Sequence, residues 1–190
     1  MKRKILLFII GISIAAAITI SGCRLFSTHI DTSDAYTQSL LKDKAIKEVR
    51  AKISFWWFCF GDPEAFVTVG ETIYVDKKIW LNDINLRRTT FLQATLTHES
   101  THVLRQAKMG LTIWLSFYVF SKSFRWEEEK AAHRAGWAVE VERGVMFDTY
   151  DSFAKYVSGP AYYGMVSYDE AYNFMFDTFE ELKAEKAKKK

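Results

Sequence analysis

Two histidines and a glutamate near the middle of the chain have the residue types and spacing needed to bind a zinc ion. His98, Glu99 and His102 form a His-Glu-x-x-His segment. On a helix, residues four positions apart lie on one face, so both imidazoles can reach one metal ion. Glu99 projects about 100° away from His98, where it can reach a zinc-bound water without being a ligand. Zinc lowers the pKa of such a water to about 7, and the glutamate accepts its proton as the water attacks a carbonyl.

The residues around this segment predict a mostly apolar helix, as expected for a buried site. Gly110 follows Lys108 and Met109 and is predicted to end the helix. Arg105 and Lys108 occupy the positions at which the longer metzincin motif needs glycine and histidine, so that class is excluded. The third zinc ligand must come from elsewhere, most simply from a carboxylate on a later helix.

The first 22 residues are predicted to be a targeting segment and not part of the fold. Lys2-Arg3-Lys4 precede an apolar run over residues 5–20, and Ser21-Gly22 place small residues before Cys23. This arrangement resembles the lipobox of bacterial lipoproteins, which implies that Cys23 becomes the lipidated first residue of the mature chain. An uncleaved membrane helix is the alternative. Either route leaves the remainder outside the cytoplasm, because the positive end stays inside.

The lipoprotein resemblance implies a lipid-anchored protein of the cell envelope. In a Gram-negative host this means the periplasmic face or the outer membrane, since Arg24 stands where the inner-membrane retention signal has Asp. Residues 23–33 are expected to form a tether, and residues 34–190 suit one domain with its own core. Loss of the three leader cations lowers the formal net charge from +3 to 0, so no nucleic-acid partner is indicated. Cys59 is the one other cysteine, so there is no disulfide framework.

The pattern between the tether and the zinc helix predicts a helix followed by a small sheet. The helix is capped by Ser33 or Asp34 and runs to about Lys52. Strands are expected over residues 53–60, 65–69 and 72–75, with Gly70-Glu71 as a two-residue hairpin turn. A sheet edge beside a zinc site is where an extended peptide substrate would pair.

Two aromatic segments after the zinc helix leave alternatives open. Residues 111–120 are very apolar but too short to span a bilayer, and they predict either a buried helix or a patch that rests on the membrane. Tyr163 follows a turn at Ser158-Gly159-Pro160. Its hydroxyl is a candidate for stabilising an oxyanion, and packing or surface exposure is the alternative.

A second helix is predicted over residues 125–143, ending at Gly144. Glu129, Ala132, His133 and Gly136 fall on one stripe of it. The two small residues would allow another helix to approach closely. A glutamate and a histidine on that face are unexpected unless a polar group lies opposite.

Together the two motifs resemble the gluzincin zinc metallopeptidases, and most closely the small minigluzincin-like cores, over roughly residues 53–142. The second helix of those cores reads Glu-x-x-Ala-Asp. The resemblance implies an α+β, zincin-like fold with a small, mostly antiparallel sheet packed on the His-Glu-x-x-His helix and a following glutamate helix. It also implies that His98, His102 and Glu129 are the zinc ligands and that Glu99 is the general base. Glu128 is the alternative ligand, because Glu128-x-x-Ala131 fits the second motif as well.

His133 departs from the family pattern, which has Asp there to support a ligand histidine. A histidine can do this only as an acceptor, or it can act as a donor to the reaction intermediate. The implied function is hydrolysis of peptide bonds in a peptide or protein substrate. The alternatives are a non-catalytic envelope lipoprotein with a structural zinc site, closed by a fourth protein ligand, and a metal-free interaction scaffold.

Overall fold

The structure is a computed structural model that describes residues 27–33, 35–52, 66–80 and 90–189. Its helices are α1 (Ala35–Asp43), α2 (Thr90–Met109), α3 (Leu111–Phe120), α4 (Lys122–Arg143), α5 (Tyr150–Ser158) and α6 (Tyr168–Ala187), with a 3-10 turn at Pro160–Tyr162. Its strands are β1 (Ser27–His29), β2 (Glu48–Lys52), β3 (Val67–Val69) and β4 (Thr72–Val75).

The four strands form one mixed sheet in the order β1-β2-β4-β3. The two outer pairings are antiparallel, and the central pairing of β2 with β4 is parallel. The predicted hairpin between β3 and β4 is confirmed, and Gly70 has the positive φ of 61° that the first position of this turn requires. The chain is therefore rich in helix with a small sheet, and the α+β class is confirmed in this coarse form.

The prediction of a helix running to about Lys52 is wrong beyond α1. The helix ends because Ala45 adopts a left-handed backbone with φ 55°, and the chain then enters β2. Val49 and Ala51 are buried while their neighbours in β2 are partly exposed, which is the period of two of a strand. The apolar spacing before Lys52 fits a helix and a short strand alike, so periodicity alone could not separate them.

Two other predictions concern the ends of the sheet. Ser27–His29 lies within the range predicted to be a tether, and it forms β1 by pairing with β2. These three residues of the predicted tether are part of the sheet. The predicted strand over residues 53–60 and the leader with Cys23 lie outside the described residues.

Helix α2 lies between the sheet and α4. Its Leu92, Leu96 and Val103 pack in one core with side chains of the sheet, of α1 and of the segments next to them, namely Ile30, Leu41, Ile46, Val49, Ala51, Ile73, Val75 and Trp80. Ala94 and His98 lie well away from that face on the helical wheel and are directed to α4. A second core holds α4 against α5 and α6.

Helices α2 and α4 approach closely because α4 lacks a side chain where they cross. A Cβ placed on Gly136 would lie 3.1 Å from the Ala94 carbonyl oxygen and 3.6 Å from the His98 Cβ. Ala132, one turn earlier, is fully buried. The predicted close approach through small residues is confirmed, and the same stripe of α4 carries Glu129 and His133 to α2.

The short apolar helix α3 joins α2 to α4. Gly110, with φ 88°, ends α2 at the predicted stop, and α3 follows directly. Arg125 of α4 donates hydrogen bonds to the carbonyls of Tyr118 and Val119 at 2.9 and 3.0 Å. These bonds satisfy the last turn of α3 and fix the corner between the helices. Within the described ranges, no helix combines the length and the apolar character needed to cross a membrane.

We expect Gly136→Val to lower the free energy of unfolding by about 1–3 kcal/mol, as is typical of overpacking. The branched side chain would meet the Ala94 carbonyl and the His98 Cβ and would force α2 and α4 apart. Ala135→Val is the control, because it places the same branched side chain at a partly exposed neighbour; helix propensity falls in this variant and rises slightly in Gly136→Val, so a larger loss in Gly136→Val must come from the crossing. Denaturant unfolding measures both variants. An equal loss in the two would show that the crossing tolerates a side chain.

Candidate metal centre

His98 and His102 of α2 and Glu129 of α4 converge between the two helices. The two imidazole Nε2 atoms are 3.3 Å apart. Glu129 places Oε2 at 3.6 Å from the His98 nitrogen and Oε1 at 3.6 Å from the His102 nitrogen. The donor atoms of the three residues all lie within 4.8 Å of one another. The structure thus brings together the three residues predicted as ligands, and we refer to them as the ligand triangle.

The ligand triangle has the size of one face of a zinc coordination tetrahedron. Two ligands that lie about 2.05 Å from a tetrahedral zinc are about 3.3 Å apart. The separation of the two nitrogens matches this value. Each nitrogen lies 3.6 Å from a different oxygen of Glu129, about 0.3 Å beyond this value, so one oxygen must move closer to both nitrogens to complete the triangle. Two neutral imidazoles and one carboxylate form the donor set of many catalytic zinc sites, which keep a fourth position open.

The buried ionisable groups of this site suit a cation. Burial lowers the pKa of His98 well below its usual value and that of His102 to about 3, so both are in the neutral form that ligates metals. Burial raises the pKa of Glu129 to about 8 and that of Glu99 to about 7. Among the described residues, His102 Nδ1, Glu129 Oε2 and His133 Nε2 are buried without a hydrogen-bond partner. A divalent cation would offset these desolvation costs, because it favours ionised carboxylates beside neutral imidazoles.

Glu99 lies beside the ligand triangle and turns toward the sheet. Its Oε1 is 3.9 Å from His98 Nε2, and its Oε2 accepts a hydrogen bond of 2.5 Å from Thr68 Oγ1. Thr68 belongs to β3, which lies at the edge of the sheet. Glu99 is therefore outside the set of converging donors but close enough for one water molecule to lie between it and a metal ion.

Gln106 fastens the β3–β4 hairpin to α2. Its Nε2 donates to the Thr68 carbonyl at 3.0 Å, and its Oε1 accepts from the Gly70 amide at 2.7 Å. One buried amide thus makes two bonds of the kind that an adjacent strand would make. Gln106 lies two turns after Glu99 on the same face of α2, which sequence spacing could have indicated. Nothing in the sequence identifies the hairpin as its partner, so Thr68 and Gln106 were not predicted.

Tyr118 of α3 is a further residue of the site that the sequence reasoning missed. Its hydroxyl donates a hydrogen bond to Glu129 Oε1. Burial and the neighbouring Glu129 carboxylate raise the pKa of Tyr118 well above its usual value, so the hydroxyl stays protonated. Its ring stacks on Trp114, which contacts the His102 ring edge-on at 5.8 Å. The sequence did offer one signal for Tyr118. Trp114 and Tyr118 lie four residues apart on α3, and the polar atoms of buried tryptophan and tyrosine are usually hydrogen-bonded.

Glu128, the alternative ligand, belongs to a different network. Its two oxygens accept hydrogen bonds of 2.6 Å from the Arg105 guanidinium, and Trp114 Nε1 donates to it at 2.8 Å. Successive helix residues point about 100° apart, which directs Glu128 away from Glu129. The network ties α2, α3 and α4 together behind the ligand triangle.

His133 lies next to the ligand triangle without joining it. Its Nε2 is 3.6 Å from Glu129 Oε2, and its ring centroid is 4.4 Å from that of His98. The ring stacks on Trp137, and burial lowers its pKa well below the usual value. The group of converging donors comprises His98, His102 and Glu129. The catalytic role of His133 stays a prediction, and its position suits contact with a molecule at the open side of the triangle.

Tyr163 is placed differently from Tyr118. It is 59% exposed, adopts a left-handed backbone with φ 55°, and packs its ring 5.7 Å from the Arg125 guanidinium carbon. The tyrosine hydroxyl that reaches a ligand in this structure is that of Tyr118. Tyr163 is therefore not the tyrosine whose hydroxyl contacts the ligand triangle.

No family model matches the chain, and no curated protein or solved structure matches it either. The gluzincin and lipoprotein resemblances stay predictions that rest on the motifs themselves. A function for the site is accordingly inferred from its geometry and chemistry.

We expect the purified protein to hold about one equivalent of zinc per chain after mild dialysis. His102→Ala removes one of three ligands and should abolish retention of the metal. His29→Ala is the matched control, because it replaces an exposed histidine of β1. Metal analysis by mass spectrometry measures all three proteins. A folded wild type without bound metal would contradict the assignment of this centre.

We expect Tyr118→Phe to weaken zinc binding on the order of tenfold, as for the loss of an outer-shell hydrogen bond to a ligand. The ring and its stacking on Trp114 are kept, and only the hydroxyl bonded to Glu129 is lost. Tyr168→Phe is the matched control, since its exposed hydroxyl also donates to a carboxylate, that of Asp151. Competition with a zinc chelator measures the affinities. Equal affinities for the two variants would show that Tyr118 does not support the ligand.

Proposed function

We propose that this protein is a membrane-anchored, zinc-dependent metallopeptidase. The main observation in favour is the ligand triangle, in which two imidazole nitrogens and one carboxylate are separated by distances close to those of a zinc site. A second carboxylate, that of Glu99, lies next to the triangle without being part of it. When bound, zinc would supply a Lewis acid that acidifies water and polarises the scissile carbonyl. An anchor at Cys23 would hold the enzyme at the cell envelope, outside the cytoplasm.

Glu99 is the proposed general base. It would accept the proton of the attacking water and pass it to the leaving amine. The hydrogen bond from Thr68 occupies Oε2 and leaves Oε1, the oxygen nearer to His98, for the water. Burial raises the pKa of Glu99 to about 7 in the metal-free site, and a bound cation would favour the ionised form that accepts a proton.

The edge strand β3 supports a peptide as the substrate. Within the described part of the chain, β3 pairs with no strand other than β4, but Gln106 already binds the Thr68 carbonyl and the Gly70 amide, so an extended segment could pair only with the backbone groups of this edge that Gln106 leaves free. The contact between Thr68 and Glu99 sets this edge next to the general base. A peptide that adds to β3 as a further strand would bring one of its carbonyls to the ligand triangle.

Neutral His133 and protonated Tyr118 lie near the place where negative charge would develop on the substrate. His133 contacts Glu129 and His98 from the side of α4. Tyr118 keeps its proton and approaches from α3. Hydrogen-bond donors held in place by the fold stabilise a developing oxyanion without further reorganisation. His133 is therefore a candidate for this role, and Tyr118 could take it only if its one hydroxyl proton left Glu129.

A closed structural zinc site is the second candidate function, and one observation bears on it. His133 Nε2 is buried without a partner among the described residues, so it is the natural fourth ligand for a closed site. Its place outside the group of converging donors favours the open site. A metal-free scaffold is disfavoured by the approach of both histidines to Glu129.

We expect Glu99→Gln to retain zinc and to lose turnover by about 10²–10⁴-fold, because the base is removed while size and hydrogen bonding are kept. Glu129→Gln should instead weaken zinc binding, and excess zinc should partly restore its activity. Glu127→Gln is the matched control, since Glu127 is exposed and pairs with Lys130 on the surface of α4. Zinc content and cleavage of an unstructured protein such as casein are measured for each variant.

His133→Ala separates the two candidate functions in the same assays. In an open catalytic site it should keep zinc and lose turnover, whereas in a closed site it should lose zinc. Full activity in Glu99→Gln would rule out the proposed base. Zinc binding without cleavage in the wild type would favour the structural site.

A further inference from the structure

The outward face of α3 is apolar along its whole length. Ile113, Phe117 and Phe120 are 54%, 52% and 71% exposed and fall on one stripe of the helix. The opposite face carries Trp114 and Tyr118, which contact the ligand triangle. With Val119, α3 has four exposed large apolar side chains, which is more than scattered surface residues explain, and such patches mark contact surfaces.

The charges around α3 indicate what the patch contacts. All ten residues of α3 are uncharged. The exposed cations Lys108 and Lys122 stand just before and just after it. An apolar stripe with cations at both ends suits the boundary between the acyl chains and the anionic headgroups of a bilayer.

The chain before the described residues limits how far the domain can lie from a membrane. Only four residue steps separate Cys23 from Ser27, the first residue of β1, and they span at most about 14 Å. An uncleaved leader helix would impose a similar limit. β1 lies three strand spacings, or about 14 Å, from β3, whose hairpin packs against Leu111 at the start of α3. The anchor is therefore long enough to hold α3 at the membrane and too short to lift the domain far from it.

We propose that the Ile113–Phe117–Phe120 face of α3 rests on an anionic lipid bilayer. This inference draws on the anchor of the proposed function but not on its chemistry. Since α3 separates the patch from the ligands, the ligand triangle would lie about one helix diameter, roughly 10 Å, from the membrane surface. The substrates of such a site are peptide segments that emerge close to the bilayer.

Photo-crosslinking of the full chain in vesicles tests this surface. p-Benzoylphenylalanine replaces Phe117 in one protein and Phe176 in another, each reconstituted in vesicles of phosphatidylglycerol and phosphatidylethanolamine. Phe176 is the matched control, because it is an exposed phenylalanine on α6. We expect lipid adducts on the order of tenfold more often at position 117 than at 176, since only the α3 face would contact acyl chains. Phe120→Glu in the first protein should remove most of these adducts.

The molecule crosslinked to position 117 shows what covers the α3 face. A crosslink from position 117 to a second copy of the chain, or to residues 53–60, would overturn the proposal, and so would equal lipid labelling at the two positions. Mass analysis of the same sample reports acylation of Cys23. Zinc content and cleavage report the proposed function separately, so lipid labelling in a protein without zinc would leave the surface standing while the enzyme proposal fails.

Discussion

The close crossing of α2 and α4 at Gly136 sets the distances within the site. Two of the proposed ligands come from α2 and the third from α4, and a zinc coordination sphere has a radius of only about 2 Å. The helix backbones must therefore be nearly in contact, which a side chain at position 136 would prevent. A glycine within a helix costs about 1 kcal/mol relative to alanine. The fold tolerates this cost at the one position where a larger residue would separate His98 from Glu129.

The same crossing buries more ionisable groups than hydrogen bonds can satisfy. Burial is the largest cause that raises the pKa values of Glu99 and Glu129 and lowers those of the three imidazoles, which favours the neutral form of each group. Replacing carboxyl protons by a divalent cation would convert a desolvation cost into coordination. A metal that binds only the folded chain adds stability, about 2.7 kcal/mol at a free concentration one hundred times the Kd. Metal binding and the packing of α2 on α4 would thus reinforce each other.

The sequence could predict the site where its residues share a helix, and it failed where they do not. The spacing of His98 and His102 is a property of one helix, and the stripe through Ala132 and Gly136 distinguishes Glu129 from Glu128. Thr68 and Tyr118 reach the site from the hairpin and from α3, so only the tertiary arrangement reveals them. Gln106 shares a face of α2 with Glu99, but its partner, the hairpin, is likewise visible only in the structure. The early end of α1 depends on a left-handed Ala45, a conformation that is unfavourable for alanine and that tertiary contacts impose. The hairpin turn was predictable because Gly70 adopts such a backbone without strain.

Helix α3 connects the chemistry of the site to the surface of the protein. Its inner face supplies the hydroxyl that orients Glu129, and Trp114 on the same face joins the network of Glu128 and Arg105. Arg125 closes its last turn. A helix held by so many polar bonds does not need its outer apolar residues for attachment to the fold. Burial of three large apolar side chains is worth about 1.5–3 kcal/mol each when complete, so leaving them in water is a substantial loss unless another surface covers them. A membrane in contact with that face would lie against the helix that positions the third ligand, so one element would serve both anchoring and metal coordination.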